Sequence, residues 1–158
     1  MKTYTAIASA AAFLGKLAAA DFLIYGADSY SGVGGYNSWT GYRLFPGEPN
    51  CNNVCSTYFI PSVDDASGSR EGIRCDGCSG GEPDEVEVHL NDIHFTLYKW
   101  EDYMMTPADG GPLLGQCFLE SDDDFGPCMC GPGDANYGEK FLRCVTDITA
   151  WDTEYFYG

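Results

Sequence analysis

Basic residues are scarce: 8 lysines and arginines stand against 24 aspartates and glutamates in 158 residues, a net charge of −16. Such a surface repels phosphate backbones and anionic headgroups, which counts against nucleic acid and acidic membranes as partners. Histidine is rarer still. His89 and His94 are the only two, so any imidazole chemistry must use that pair. No Gly-x-Ser-x-Gly elbow, His-Glu-x-x-His pair or phosphate-binding loop occurs, so the signatures of the common serine hydrolases, zincins and nucleotide-binding sites are missing. There is no Asn-x-Ser/Thr sequon and no Lys-Arg pair, hence no signal for conventional N-glycosylation or dibasic processing.

What is present begins with a secretory leader. Lys2 precedes an Ala-rich apolar run from Ala6 to Gly15, and Ala18, Ala19 and Ala20 place small residues where a signal peptidase needs them. The run stops at Lys16, short of the roughly 20 residues a bilayer core requires. Residues 1–20 are therefore expected to be a signal peptide, 21–150 one β-rich domain, and 151–158 an aromatic and acidic tail. Removing the leader takes away Lys2 and Lys16 and leaves 6 basic against 24 acidic residues, a charge of −18. A released extracellular protein is the expectation.

All eight cysteines, Cys51, Cys55, Cys75, Cys78, Cys117, Cys128, Cys130 and Cys144, follow the leader. An even number in an oxidising compartment predicts four disulfides. Cys128 and Cys130 point the same way in an extended chain and are expected to take separate partners. Zinc held by Cys75, Cys78, Cys128 and Cys130, or a redox dithiol at Cys75–Cys78, are the sharper alternatives. The chain lacks two tight zinc knuckles and the βαβ setting of a redox motif, so structural bridges are preferred.

Gly and Pro recur about every ten residues between short apolar runs, the cadence of an all-β domain. The expected fold is mainly β, a single antiparallel β-sandwich or barrel-like domain with one or two short helical turns. Strands are predicted over 22–25, 39–45, 72–75, 86–90, 93–100, 103–106, 113–120 and 140–149, with helical turns over 50–56 and 61–66. The Gly-rich stretches 29–38 and 128–138 read as mobile surface. The sharpest local signal lies around Asn91-Asp92, residues that tolerate positive φ in a hairpin turn. That turn pairs Leu90 with Ile93, Val88 with Phe95 and Val86 with Leu97 on a core face. His89 then stands opposite His94, and Glu87 opposite Thr96, on the polar face.

His89, His94 and Glu87 are the candidate catalytic residues, suited to acid–base or ribonuclease-like chemistry with Arg70 or Arg74 recruited from elsewhere, or to a metal. The same trio arises whenever a strand alternates polar with apolar residues. Acidic clusters at Asp64-Asp65, Glu82 to Glu87 and Asp122 to Asp124 offer carboxylates for a glycosidase, but no calcium-loop spacing is complete. Tyr30, Tyr36 and Trp39, and the tail residues Trp151, Tyr155, Phe156 and Tyr157, suit stacking on sugars or anchoring a protein. Neither a cofactor nor a metal is expected.

With its leader, DFLIYG from Asp21, PNCNNVC from Pro49, SGSREGIRCDGC from Ser67, HFTLYK from His94 and KFLRCVTDIT from Lys140, the chain resembles the small secreted cysteine-rich proteins of filamentous ascomycete fungi. The resemblance implies an extracellular protein of the effector-candidate kind, acting at a host or microbial interface, and assigns no catalytic residue. The expected function is binding of an extracellular protein or glycan, with no nucleic acid and no membrane as partner. A small secreted hydrolase is the alternative, either a ribonuclease using the histidine pair or a glycosidase using acidic-loop carboxylates.

Overall fold

A computed structural model describes residues 21–32, 37–150 and 152. The leader, and the tail apart from Asp152, lie outside the described residues. Among the described residues ten strands form two antiparallel sheets. The first sheet contains β1 (Asp21–Ser31), β2 (Asn37–Phe45), β3 (Ile60–Pro61), β8 (Gly115–Leu119), β9 (Phe125–Gly131) and β10 (Asp134–Thr146). Its order is β3-β2-β1-β10, and β10 carries β9 beside its first half and β8 beside its second. The second sheet runs β4 (Gly72–Asp76), β5 (Glu85–Leu90), β6 (Ile93–Tyr98), β7 (Thr106–Pro107). The sheets face each other as a sandwich and do not close into a barrel.

The main core lies between them. Phe22, Ile24, Leu44, Leu142 and Cys144 come from the first sheet, and Ile73, Val86, Val88, Leu90, Phe95 and Leu97 from the second. The β5–β6 hairpin has the register the alternation predicts, including Val88 opposite Phe95 and His89 opposite His94. Asn91 at its turn has φ 52°, the left-handed conformation that Asn tolerates better than most residues.

β1 is buried on both faces, which explains why Phe22 to Tyr25 is a continuous apolar run rather than an alternation. Phe22 and Ile24 enter the main core, while Leu23, Tyr25 and Ala27 enter a second one with Phe45, Val54, Phe125 and Cys128. Tyr25, Phe45 and Phe125 meet there ring to ring, with centroids 5.4 to 5.8 Å apart. Gly138 has no side chain because the Phe125 ring fills the space its Cβ would occupy.

The lid of this second core is α1 (Cys51–Ser56). Asn50 caps it by accepting from the Asn52 and Asn53 amides, and the Asn53 side chain accepts from the Asn50 amide in return. Cys51–Cys128 and Cys55–Cys130 bolt α1 to β9. Cys75 bridges Cys78, and Cys117 bridges Cys144 across paired positions of β8 and β10. No described cysteine is free. Cys128 and Cys130 do take separate partners, both on the one helix.

Three expectations are corrected. The segment 61–66 is not a helical turn: Pro61 ends β3, Ser62 forms an isolated bridge with Ile73, and the chain then runs on irregularly. The stretch 128–138, read as mobile surface, is largely strand, because Phe125 and Cys128 insert into the second core. The predicted strand 103–106 is mostly a turn and a bridge, with β7 only at Thr106–Pro107. No described helix is long and apolar enough to cross a membrane.

Candidate functional site

The predicted histidine site assembles on the outer face of the second sheet. The two imidazoles stack, centroids 4.2 Å apart and planes 5° from parallel. His89 Nδ1 donates to the Ala66 carbonyl at 3.0 Å, and His94 Nε2 donates to Glu87 Oε1 at 2.9 Å. Arg74, one strand over on β4, reaches Glu87 Oε2 at 3.1 Å and also pairs with Glu85. Burial works to raise the Glu87 carboxyl, but the hydrogen bonds and charges of His94 and Arg74 outweigh it and hold it below the ordinary glutamate range. Arg70 does not join the cluster; it pairs with Asp65 at the surface.

This arrangement differs from an acid–base pair in one decisive respect. In-line cleavage of a phosphodiester needs the acid and the base on either side of the reacting group. Rings in face-to-face contact leave no room between them. The network instead ties β4, β5 and β6 to the connection carrying Ala66, and the face expected to meet solvent is half-buried. Among the described residues no three His, Cys, Asp or Glu side chains converge as a metal site.

A groove opens on the first sheet where the second no longer covers it. Along β1 the residues facing the main core, Phe22 and Ile24, continue as Gly26, Asp28 and Tyr30. Pairing sets Tyr42 and Glu139 beside Gly26, and Thr40 and Tyr137 beside Asp28. Phe141, the extra residue of a bulge on β10, adds its ring to the same cleft. Two adjoining clefts of about 530 and 600 Å³ share Asp28 and Tyr137. Their aromatic walls are Tyr42 against Phe141, at 6.1 Å, and Tyr30 edge-on to Tyr137, at 5.8 Å.

Asp28, Asp124 and Glu139 supply carboxylates along this groove, and no described lysine or arginine lines it. Thr40 Oγ1 donates to Asp28 Oδ1 at 2.8 Å, which fixes that carboxylate and leaves its other oxygen to accept. Tyr137 is 44% exposed, so its ring is available to a ligand. Rings that cover C–H surfaces beside acceptor-only carboxylates suit a polyhydroxylated or cationic ligand and disfavour an anion.

Of the aromatics singled out above, Tyr30 lines this groove and Trp39 lies on the opposite face of the sheet; Tyr36 and the tail aromatics lie outside the described residues. Asp124, from the predicted acidic loop, reaches the groove, whereas Asp122 does not line it. Sequence reasoning missed Asp28, Thr40, Tyr137 and Glu139. The alternate-residue pattern Gly26-Asp28-Tyr30, continuing the core face of β1, is the signal that identifies the first strand of the groove. Comparison with protein-family models, with curated proteins and with solved structures finds no match for this chain.

Proposed function

We propose that this is a secreted binding protein of effector-candidate type whose recognition surface is the groove on the first sheet, and that its ligand is a glycan rich in neutral or amino sugars. The observation that carries the reading is the row Asp28, Tyr137, Glu139, with Tyr30 and Tyr42 beside it. Aromatic faces and hydroxyl-accepting carboxylates alternate there without a cation. Four disulfides suit an oxidising compartment, and the acidic surface keeps polyanions away. Asp124 and Glu139 on one groove also favour a hydrolase as the second reading, since a glycosidase needs two carboxyl groups across a cleft.

The test is retention of the purified protein on a neutral hexose polymer, an amino-sugar polymer and a polyuronate, with released reducing ends measured in the same incubations. Binding to the neutral or amino-sugar polymer should weaken about tenfold in Tyr137→Ala, as loss of an aromatic platform implies. Retention on the polyuronate alone, or binding unchanged in a Tyr30→Ala/Tyr137→Ala protein, would overturn the reading. Reducing ends lost in Glu139→Gln would promote the hydrolase.

A further inference from the structure

Six described residues carry a permanent positive charge, and five of them meet a carboxylate: Arg70, Arg74, Lys99, Lys140 and Arg143. Arg43 does not, in a chain with 24 acidic residues. It is also 94% buried, with 6% exposure. The contrast with Lys140 is informative, because that equally buried ammonium gathers Glu48, Glu120 and Asp123 around it. A buried charge with no counter-charge is costly and calls for an explanation.

Part of the explanation is structural. Arg43 projects from β2 toward the second core, opposite Tyr25 in the register. Its Nη1 donates to the carbonyls of Val54 and Thr57 at the end of α1, and Nη2 donates to Asn136 Oδ1 at 2.9 Å. The Phe59 ring lies 5.5 Å from the guanidinium carbon. All these acceptors are neutral, and Nε–H has none. Burial lowers the guanidinium to about 10, so it stays cationic at neutral pH.

The rest of the explanation is the cleft of about 480 Å³ that Arg43 lines, on the face of the first sheet opposite the glycan groove. Its walls include the half-exposed Trp39 ring, Tyr58, and the hydroxyl residues Ser29, Ser56 and Thr57. Asp134 is the one carboxylate among its lining residues, and it forms no ion pair with Arg43. The volume is that of a small-molecule site. We propose that this cleft binds a small aromatic monocarboxylate, its ring on Trp39 and its carboxylate supplying the counter-charge that Arg43 lacks. A fork of guanidinium N–H groups is the natural partner of a carboxylate. Asp134 and the overall charge of −16 select a single negative charge over a polyanion.

The site is independent of the glycan reading, and its test uses different probes. Benzoate and its neutral isostere benzamide are titrated into the disulfide-intact protein, following the Arg43 Nε–H and Trp39 indole N–H resonances. Benzoate should move both resonances saturably, with benzamide at least about tenfold weaker. Trp39→Ala, at an exposed position that leaves the fold intact, should weaken benzoate several-fold while the Arg43 resonance still responds. Arg43→Lys should abolish the preference for benzoate over benzamide, with the α1 amide resonances reporting that the helix is retained. If Arg43→Lys unfolds α1, the two probes compared on wild type and Trp39→Ala still decide. Equal responses to benzoate and benzamide, or an Arg43 resonance that stays still up to tens of millimolar benzoate, would overturn the site.

Discussion

Phe95 and His89 sit one strand apart on opposite faces of the same sheet, and their substitution separates packing from polar bonding. Phe95 is fully buried in the main core, opposite Val88. Phe95→Ala should cost about 3 to 5 kcal/mol through lost burial and the cavity it leaves. His89→Ala removes the ring stacked on His94 and the donor to the Ala66 carbonyl. Ala66 is itself fully buried, so an acceptor loses its partner and the cost should be about 1 to 2 kcal/mol. Urea unfolding of the two variants checks both figures, and equal losses would contradict the division of faces. This hairpin was legible residue by residue, because Glu85 to Tyr98 alternates around one turn. Tyr137 carried no such mark, since it lies between Asn136 and Gly138 in a stretch whose direction only the paired register decides.

At the scale of elements, α1 and β9 show how covalent bonds replace propensity. A helix of six residues is far too short to persist alone, and Phe125–Gly131 contains two glycines, a proline and two cysteines, a poor strand by composition. That is why the sequence of β9 reads as surface loop, while the four-residue spacing of Cys51 and Cys55 makes α1 visible. The two bridges between them cross in sequence but join the same two short segments. With Cys51–Cys128 in place, Cys55–Cys130 closes only a small ring, worth about 2.5 kcal/mol of chain entropy. Removing either bridge as a Cys-to-Ala pair should therefore cost about that much. Removing both also opens a loop spanning 77 residues, and should cost about 4.5 kcal/mol more. Denaturant unfolding of the single and double deletions reads this strong non-additivity directly, and α1 amides should lose hydrogen-exchange protection first.

For the whole molecule, three of the shifted groups illustrate how stability follows pH. Glu87 titrates below the ordinary 4.5 in the fold, so the unfolded chain binds its proton first as pH falls. Its contribution is complete above 4.5 and is lost as pH drops through the lower folded value. Tyr25 is raised above the ordinary 10.0, by burial and then by Glu48, to which its hydroxyl donates at 3.1 Å. Lys140 is raised above 10.5, because the hydrogen bonds of Glu48, Asp123 and Glu120 outweigh its burial. In both the folded state keeps its proton longer, so stability is complete below these values and is lost as pH climbs past them. The urea midpoint should form a plateau between pH 4.5 and 10, with Glu87→Gln flattening the acid limb and Tyr25→Phe the alkaline one.

The pairing of β1 with β10 joins Asp21 to Val145, near the two ends of the described chain, in the middle of the larger sheet. A ribosome that has made everything up to Gly133 has produced β1, β2, α1 and all of the second sheet, yet not the strand that all the others in the larger sheet but β2 and β3 lean on. The nascent polypeptide consequently holds a half-built core and one unmated cysteine, Cys117 without Cys144, until its last stretch emerges. The larger sheet therefore closes only with the last strand to be made. The order in which the sequence is written thus sets when that sheet can harden.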